Sequence, residues 1–121
     1  MLERVDRVQL AVRDRPAAAK AFADLLGARP ARESDSLHLG ARRTVLALGE
    51  SEIELCEPAG AGPVREHLER WGEGLMTAGF AVRDMTDLHA RLAEEGAEFA
   101  EDGDQTYLAS SQTAGMPIVL T

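Results

Sequence analysis

Two short stretches carry side chains able to do chemistry. In one, Glu54 precedes Cys56 by two residues; in the other, Arg7 precedes Gln9 by two. A spacing of two puts each pair on one face of an extended strand. Glu54 offers a carboxylate, which serves as a general base only where its surroundings raise its pKa. Cys56 is a nucleophile only as a thiolate, and no basic neighbour in the sequence is evident to activate it, so it reads as a small core residue. Arg7 carries a planar fork of donors suited to an anionic group. The three histidines are scattered: His67 and His89 fall on helical patterns and read as surface residues, and His38 falls on a strand-like stretch. Trp71, at a helix end, reads as a packing anchor. Tyr107, in a late strand, reads equally as pocket lining or core.

The elements that must position these groups come in two copies. Arg7-Val8-Gln9-Leu10-Ala11-Val12-Arg13-Asp14 is echoed by Thr77-Ala78-Gly79-Phe80-Ala81-Val82-Arg83-Asp84, and both end in Ala-Val-Arg-Asp. Each copy is an apolar strand closing on Asp, followed by an amphipathic helical pattern that stops at a glycine, Gly27 or Gly96. Such a long period marks a duplicated strand-helix unit. In the first copy Val8, Leu10 and Val12 share a face. Asp14 is a natural N-cap with Pro16 in the first turn, and the helix 15–26 is expected to bury Ala18, Phe22, Leu25 and Leu26. Strands are expected at 29–34, 37–40, 44–48 and 52–56. The second copy has a helix at 64–71, the repeated strand at 75–82, and a helix from Asp84 or Thr86 to Glu95 with Leu88, Leu92 and Ala93 inward. Strands at 97–100, 106–110 and 117–121 follow. The pattern predicts an α+β fold with a mixed sheet, a single domain over 1–121. Module one spans 1–58, a Pro/Gly linker 58–63, and module two 64–121.

Composition narrows the class of function. The 121 residues carry a net charge of -8, with 45% hydrophobic and 28% charged residues. An acidic chain is repelled by nucleic acid and anionic membranes, so neither is expected as a partner. No apolar run approaches the ~20 residues of a membrane span. The N-terminal stretch reads as a strand without the apolar core of a signal peptide. A single cysteine excludes an intramolecular disulfide, and a cytoplasmic location is expected.

Two strand-helix-three-strand modules, with a repeated strand ending in Val-x-Asp, resemble the vicinal oxygen chelate superfamily of glyoxalases, bleomycin-resistance proteins and ring-cleaving dioxygenases. The middle of the chain is similar to the methylmalonyl-CoA epimerase branch: Ile53-Glu54-Leu55-Cys56-Glu57-Pro58 is followed by a helix ending in Gly72-Glu73-Gly74-Leu75. The resemblance implies two βαβββ modules in a curved, partly open eight-stranded mixed sheet around a cavity. It also implies a homodimer and a ligand-binding cavity lined by Arg7, Gln9, Glu54, Cys56, Thr77, Gly79, Tyr107 and Val119.

In that family a divalent metal is held by four strand side chains, and the matching positions here are Arg7, Glu54, Thr77 and Val119. A hard ion needs several oxygen or nitrogen ligands converging at ~2.0–2.6 Å. One carboxylate, a cation, a hydroxyl and a valine do not supply them, so no metal and no other cofactor is expected. Arg7 and Glu54 are expected either to pair or to leave Arg7 for an anionic ligand group. The leading expectation is metal-independent binding of a small organic molecule. The alternative is an isomerase or lyase acting on an acyl-CoA or carbonyl compound, with Glu54 as its catalytic residue or with a relocated metal, which leaves enzymatic status open. A structural subunit with a closed pocket is a third class.

Overall fold

The computed structural model describes all residues, Met1–Thr121. Its elements are β1 (Leu2–Ala11), α1 (Arg15–Leu26), β2 (Arg29–Ser36), β3 (Ala41–Leu48), β4 (Ser51–Pro58), α2 (Pro63–Trp71), β5 (Gly74–Val82), α3 (Met85–Glu94), β6 (Phe99–Asp102), β7 (Gln105–Leu108) and β8 (Ile118–Leu120). The strands are hydrogen-bonded in the order β2-β3-β4-β1-β5-β8-β7-β6. The fold is mixed α+β, as the strand and helix periodicities predict.

Two compact units divide the chain, Arg7–Met76 and Met1–Asp6 with Thr77–Thr121. In the first, β1 pairs parallel with β4, β4 antiparallel with β3, and β3 antiparallel with β2. In the second, β5 pairs parallel with β8, β8 antiparallel with β7, and β7 antiparallel with β6. The same pairing scheme occurs twice, so the duplication seen in the sequence is a duplication of structure.

In the Arg7–Met76 unit the helix α1 begins as expected. Asp14 has extended φ and ψ, and its side chain accepts from the Ala17 N–H at 3.0 Å. Its inward stripe is Ala18, Ala19 and Phe22, packed on the buried Val12, Ala28, Leu46 and Leu55. Leu25 and Leu26, expected inward, are 80% and 74% exposed. The reason lies in the helix stop. Gly27 adopts φ 69, in the left-handed region open to glycine, and turns the chain so that Ala28 enters the core where Leu26 would have gone.

Leu37–Gly40, expected as a strand, is the turn joining β2 to β3. Ser36 Oγ accepts from the Leu39 N–H at 3.0 Å and the Gly40 N–H bonds to the Leu37 carbonyl at 3.2 Å. Only glycine fits at position 40: φ is 61 and a Cβ there would lie 2.3 Å from the Ala61 carbonyl oxygen. Helix α2 buries Val64 and Leu68 and packs on β4. Trp71, read as a packing anchor, is 69% exposed with the Arg70 guanidinium 5.1 Å from its ring. Trp71 is the last residue of α2, so no further helical turn flanks its ring.

In the other unit α3 starts on Asp84, which accepts from the Asp87 N–H at 3.1 Å. Its inward positions are Met85, Leu88, His89 and Leu92, at the i, i+3, i+4, i+7 spacing of one helix face. Ala93 lies at the margin of that stripe, about 40° past His89, and is exposed. His89, read as a surface residue, belongs to the stripe and is half-buried.

Candidate functional site

The face of β1 opposite α1 carries Arg7, Gln9 and Ala11. Parallel pairing sets Arg7 beside Glu52, Gln9 beside Glu54, and Ala11 beside Cys56. Antiparallel pairing brings Val45 beside Glu54 and Arg43 beside Cys56. One face of this unit therefore gathers arginines and glutamates, while the other is the apolar seat of α1.

Glu54 is the centre of the charged face and is 1% exposed. Arg7 Nη1 donates to its Oε2 at 2.5 Å. Gln9 Nε2 donates to Oε1 at 2.8 Å, and Arg43 Nη1 donates to the same oxygen at 3.1 Å. Arg7 Nη1 also lies 3.1 Å from Glu52 Oε1, and Glu52 is gripped by both terminal nitrogens of Arg32, at 2.5 and 3.0 Å. The result is a continuous ionic ladder, Arg43–Glu54–Arg7–Glu52–Arg32, running from the buried centre toward the edge strand. The hydrogen bond from Arg32 holds the Glu52 carboxyl below the usual carboxylate range, against the opposing pull of partial burial. The same bond raises Arg32.

Cys56 is fully buried, and its thiol points back to the Glu54 carbonyl at 3.6 Å. Burial first, and then the charge of Glu54, push the thiol well above its usual range. A thiol held protonated is a poor nucleophile, so Cys56 is the small core residue its sequence context implies. Glu54 has donors from three side chains on its two oxygens. A general base needs a lone pair open to the proton it takes, and these contacts make Glu54 an anchor for the cations around it.

The remaining expected residues lie together in the second unit. Register aligns Gly79, Val119 and Tyr107 in one row across β5, β8 and β7. Thr77 is two residues from Gly79 on the same strand face, and Thr77, Gly79, Tyr107 and Val119 are all buried. The Tyr107 hydroxyl donates to Gln105 Oε1 at 2.9 Å. On the opposite face, His89 Nε2 is 2.8 Å from Thr106 Oγ1, and its ring stacks on Phe99 at 4.8 Å. A cavity of about 640 Å³ in this unit is bounded by Met1, Glu3, Arg83, Asp87 and Arg91 among others, and includes none of the expected residues. Arg83 Nε lies 3.2 Å from Glu3 there, and because this cavity holds none of the expected residues the ionic ladder is the stronger candidate.

Sequence reasoning missed Arg43, Glu52, Arg32 and Gln105. An arginine directly before the apolar run Thr44-Val45-Leu46 was a signal for Arg43, since a charge next to a buried strand needs a partner. No such signal marks Arg32. Between Pro30 and Arg32 the pairing of β2 with β3 slips by one residue. That β-bulge turns Arg32 from the α1 face to the charged face, as bulges do when they re-aim a side chain.

The donor set does not fit a divalent cation at Glu54. Its two oxygens already meet two guanidinium groups, at 2.5 and 3.1 Å. A divalent ion about 4 Å from one guanidinium would be repelled by roughly 8 kcal/mol at an effective dielectric constant of about 20.

The family model for the Glyoxalase/Bleomycin resistance protein/Dioxygenase superfamily matches residues 6–114. A Cereibacter sphaeroides protein named ethylmalonyl-CoA/methylmalonyl-CoA epimerase is 31% identical over 106 residues, covering 86% of this chain and 79% of that one. Methylmalonyl-CoA epimerase from Mycobacterium tuberculosis has a TM-score of 0.86 at 23% identity, over 96% of this chain and 85% of that one. A Streptomyces coelicolor methylmalonyl-CoA epimerase variant, in complex with 2-nitronate-propionyl-CoA, gives 0.88 at 22% identity, over 99% and 96%. The two structures share the fold.

Proposed function

The chain belongs to the glyoxalase/bleomycin resistance protein/dioxygenase superfamily, and from this premise we propose that it binds a small acyl compound without a divalent metal. The observation that carries this reading is the environment of Glu54, whose carboxylate is held by Arg7, Gln9 and Arg43. A fixed guanidinium supplies positive charge without an exchangeable ion, and it offers hydrogen bonds of set direction to an oxygen-rich ligand. The name of the Cereibacter sphaeroides relative supports an acyl thioester as the ligand class. We further propose that residues 1–121 form one domain working in the cytoplasm as a homodimer, the commonest closed assembly. Sedimentation at micromolar concentration tests the dimer.

The direct test is elemental analysis of purified protein, paired with titration of methylmalonyl-CoA in EDTA. Binding in EDTA with no stoichiometric metal is the expected result. One metal per chain that is lost on Glu54→Ala, or binding that requires added divalent ion, would overturn it.

The name of the same relative favours a second reading, an isomerase or lyase of the epimerase type. That chemistry takes a proton from the carbon beside a thioester carbonyl, and Glu54 would have to free an oxygen from its donors to act as the base. Incubation of methylmalonyl-CoA in D2O separates the readings: deuterium entering at that carbon supports the enzyme, and its absence alongside binding supports the binding protein.

A further inference from the structure

The outer half of the ionic ladder is built differently from the inner half. Glu54 is 1% exposed and held by three side chains, whereas the side chain of Glu52 is 20% exposed and that of its partner Arg32 is 51% exposed. Arg32 lies on β2, the first strand of the sheet order, where the first five residues are all exposed. It reaches the charged face only because of the bulge at residues 30–32. Two guanidiniums, from Arg7 and Arg32, converge on the one carboxylate of Glu52, at 3.1 Å and at 2.5 and 3.0 Å. The bidentate grip of Arg32 is the geometry by which arginines recognise a carboxylate, and Arg7 adds a second cation beside it. An exposed ion pair of this kind contributes little to stability, so structure alone gives weak reason to re-aim Arg32 by breaking the strand register.

We infer that Arg7 and Arg32 form a subsite for the carboxylate of a ligand, and that Glu52 is a resident counter-ion which this carboxylate displaces. The inference rests on the metal-independent reading above and names its ligand chemistry: an organic acid, free or carried on a thioester. Glu52 occupies the guanidinium forks when the protein is empty, so they are never left without an anion. Its carboxyl, held below the usual range by Arg32, stays ionised at neutral pH and competes with the ligand throughout. On binding, the ligand carboxylate takes the two hydrogen bonds from Arg32, and Glu52 rotates toward water.

The test is calorimetric titration in EDTA of the wild type, Glu52→Gln, Glu52→Ala and Arg32→Met. The probes are methylmalonyl-CoA, propionyl-CoA, which lacks the carboxylate, and free methylmalonate. Removing the internal competitor should tighten methylmalonyl-CoA binding by roughly tenfold or more in both Glu52 variants, the scale of one exchanged charge-assisted hydrogen bond. Propionyl-CoA should not gain, which separates the subsite from a general rise in positive charge. Adding Arg32→Met to Glu52→Gln should erase the gain. The same ranking with free methylmalonate assigns the site to the free acid, and a ranking confined to the thioester assigns it to the acyl-CoA. Glu52 variants that bind neither carboxylate more tightly than the wild type, or an equal gain for propionyl-CoA, would overturn the subsite. EDTA-resistant binding that ignores Glu52 and Arg32 defeats this inference alone, whereas binding that appears only with added divalent ion defeats the metal-independent reading.

Discussion

Replacing Arg7 with Met tests whether the ladder is one coupled unit. The Arg7 side chain is 10% exposed and that of Glu54 is 1% exposed, so water screens their contact at 2.5 Å very little. Breaking a buried pair by removing one partner costs roughly 3–5 kcal/mol. Arg43 at 3.1 Å and Gln9 at 2.8 Å still hold Glu54 in the variant, so the loss should fall near the low end, about 3 kcal/mol. At about 4 °C per kcal/mol for a chain of this size, the midpoint should drop by about 12 °C. Glu54→Gln should also destabilise, because Arg7 and Arg43 then lose their shared anion. The double variant, Arg7→Met with Glu54→Gln, should cost less than the sum of the two by at least about 1 kcal/mol, the signature of direct coupling. It should not restore full stability, since Arg43 remains without its carboxylate. Urea is the denaturant of choice, followed by far-UV circular dichroism, because a guanidinium salt would itself screen and compete with the pairs. The coupling should persist in added sodium chloride, as buried pairs are screened weakly. Single effects that simply add in the double variant would show that Arg7 and Glu54 are not coupled.

Two further outcomes follow from the titrating groups. The folded-state pKa of Glu52 is lowered, so its contribution to stability is present above the unfolded value of about 4.3 and is lost as pH falls through the folded value. Urea midpoints between about pH 5 and pH 3 should therefore fall less steeply for Glu52→Gln than for the wild type, and identical slopes would count against the Arg32–Glu52 bond. The folded-state pKa of Cys56 is raised, so the stability it contributes is intact below about pH 8.5 and declines above it, where only the unfolded thiol ionises. The native thiol should resist a disulfide reagent at pH 8 and react fully in urea; rapid reaction of the native protein would contradict its burial.

Much of the fold was legible in the sequence because it is written in local periodicities. The repeat ending in Ala-Val-Arg-Asp, the caps Asp14 and Asp84, and the two-residue alternation of Arg7 with Gln9 and of Glu54 with Cys56 depend only on neighbours a few positions apart. Those signals located the helices and assigned Arg7 and Glu54 to strand faces, and pairing of the two then needed only parallel strands in register. The fates of Leu25, Leu26 and Arg32 were decided elsewhere. Whether the last turn of α1 meets the core depends on where Gly27 redirects the chain, which puts Ala28 inside and leaves Leu25 and Leu26 out. Arg32 belongs to the charged face because β2 slips by one residue against β3, and that slip is settled by the summed pairing of two whole strands. The two end contacts of the ladder, Arg43 on Glu54 and Arg32 on Glu52, join residues 11 and 20 positions apart. Alternation states which residues share a strand's face, but only tertiary pairing states which faces meet, because register is a property of two strands and never of one.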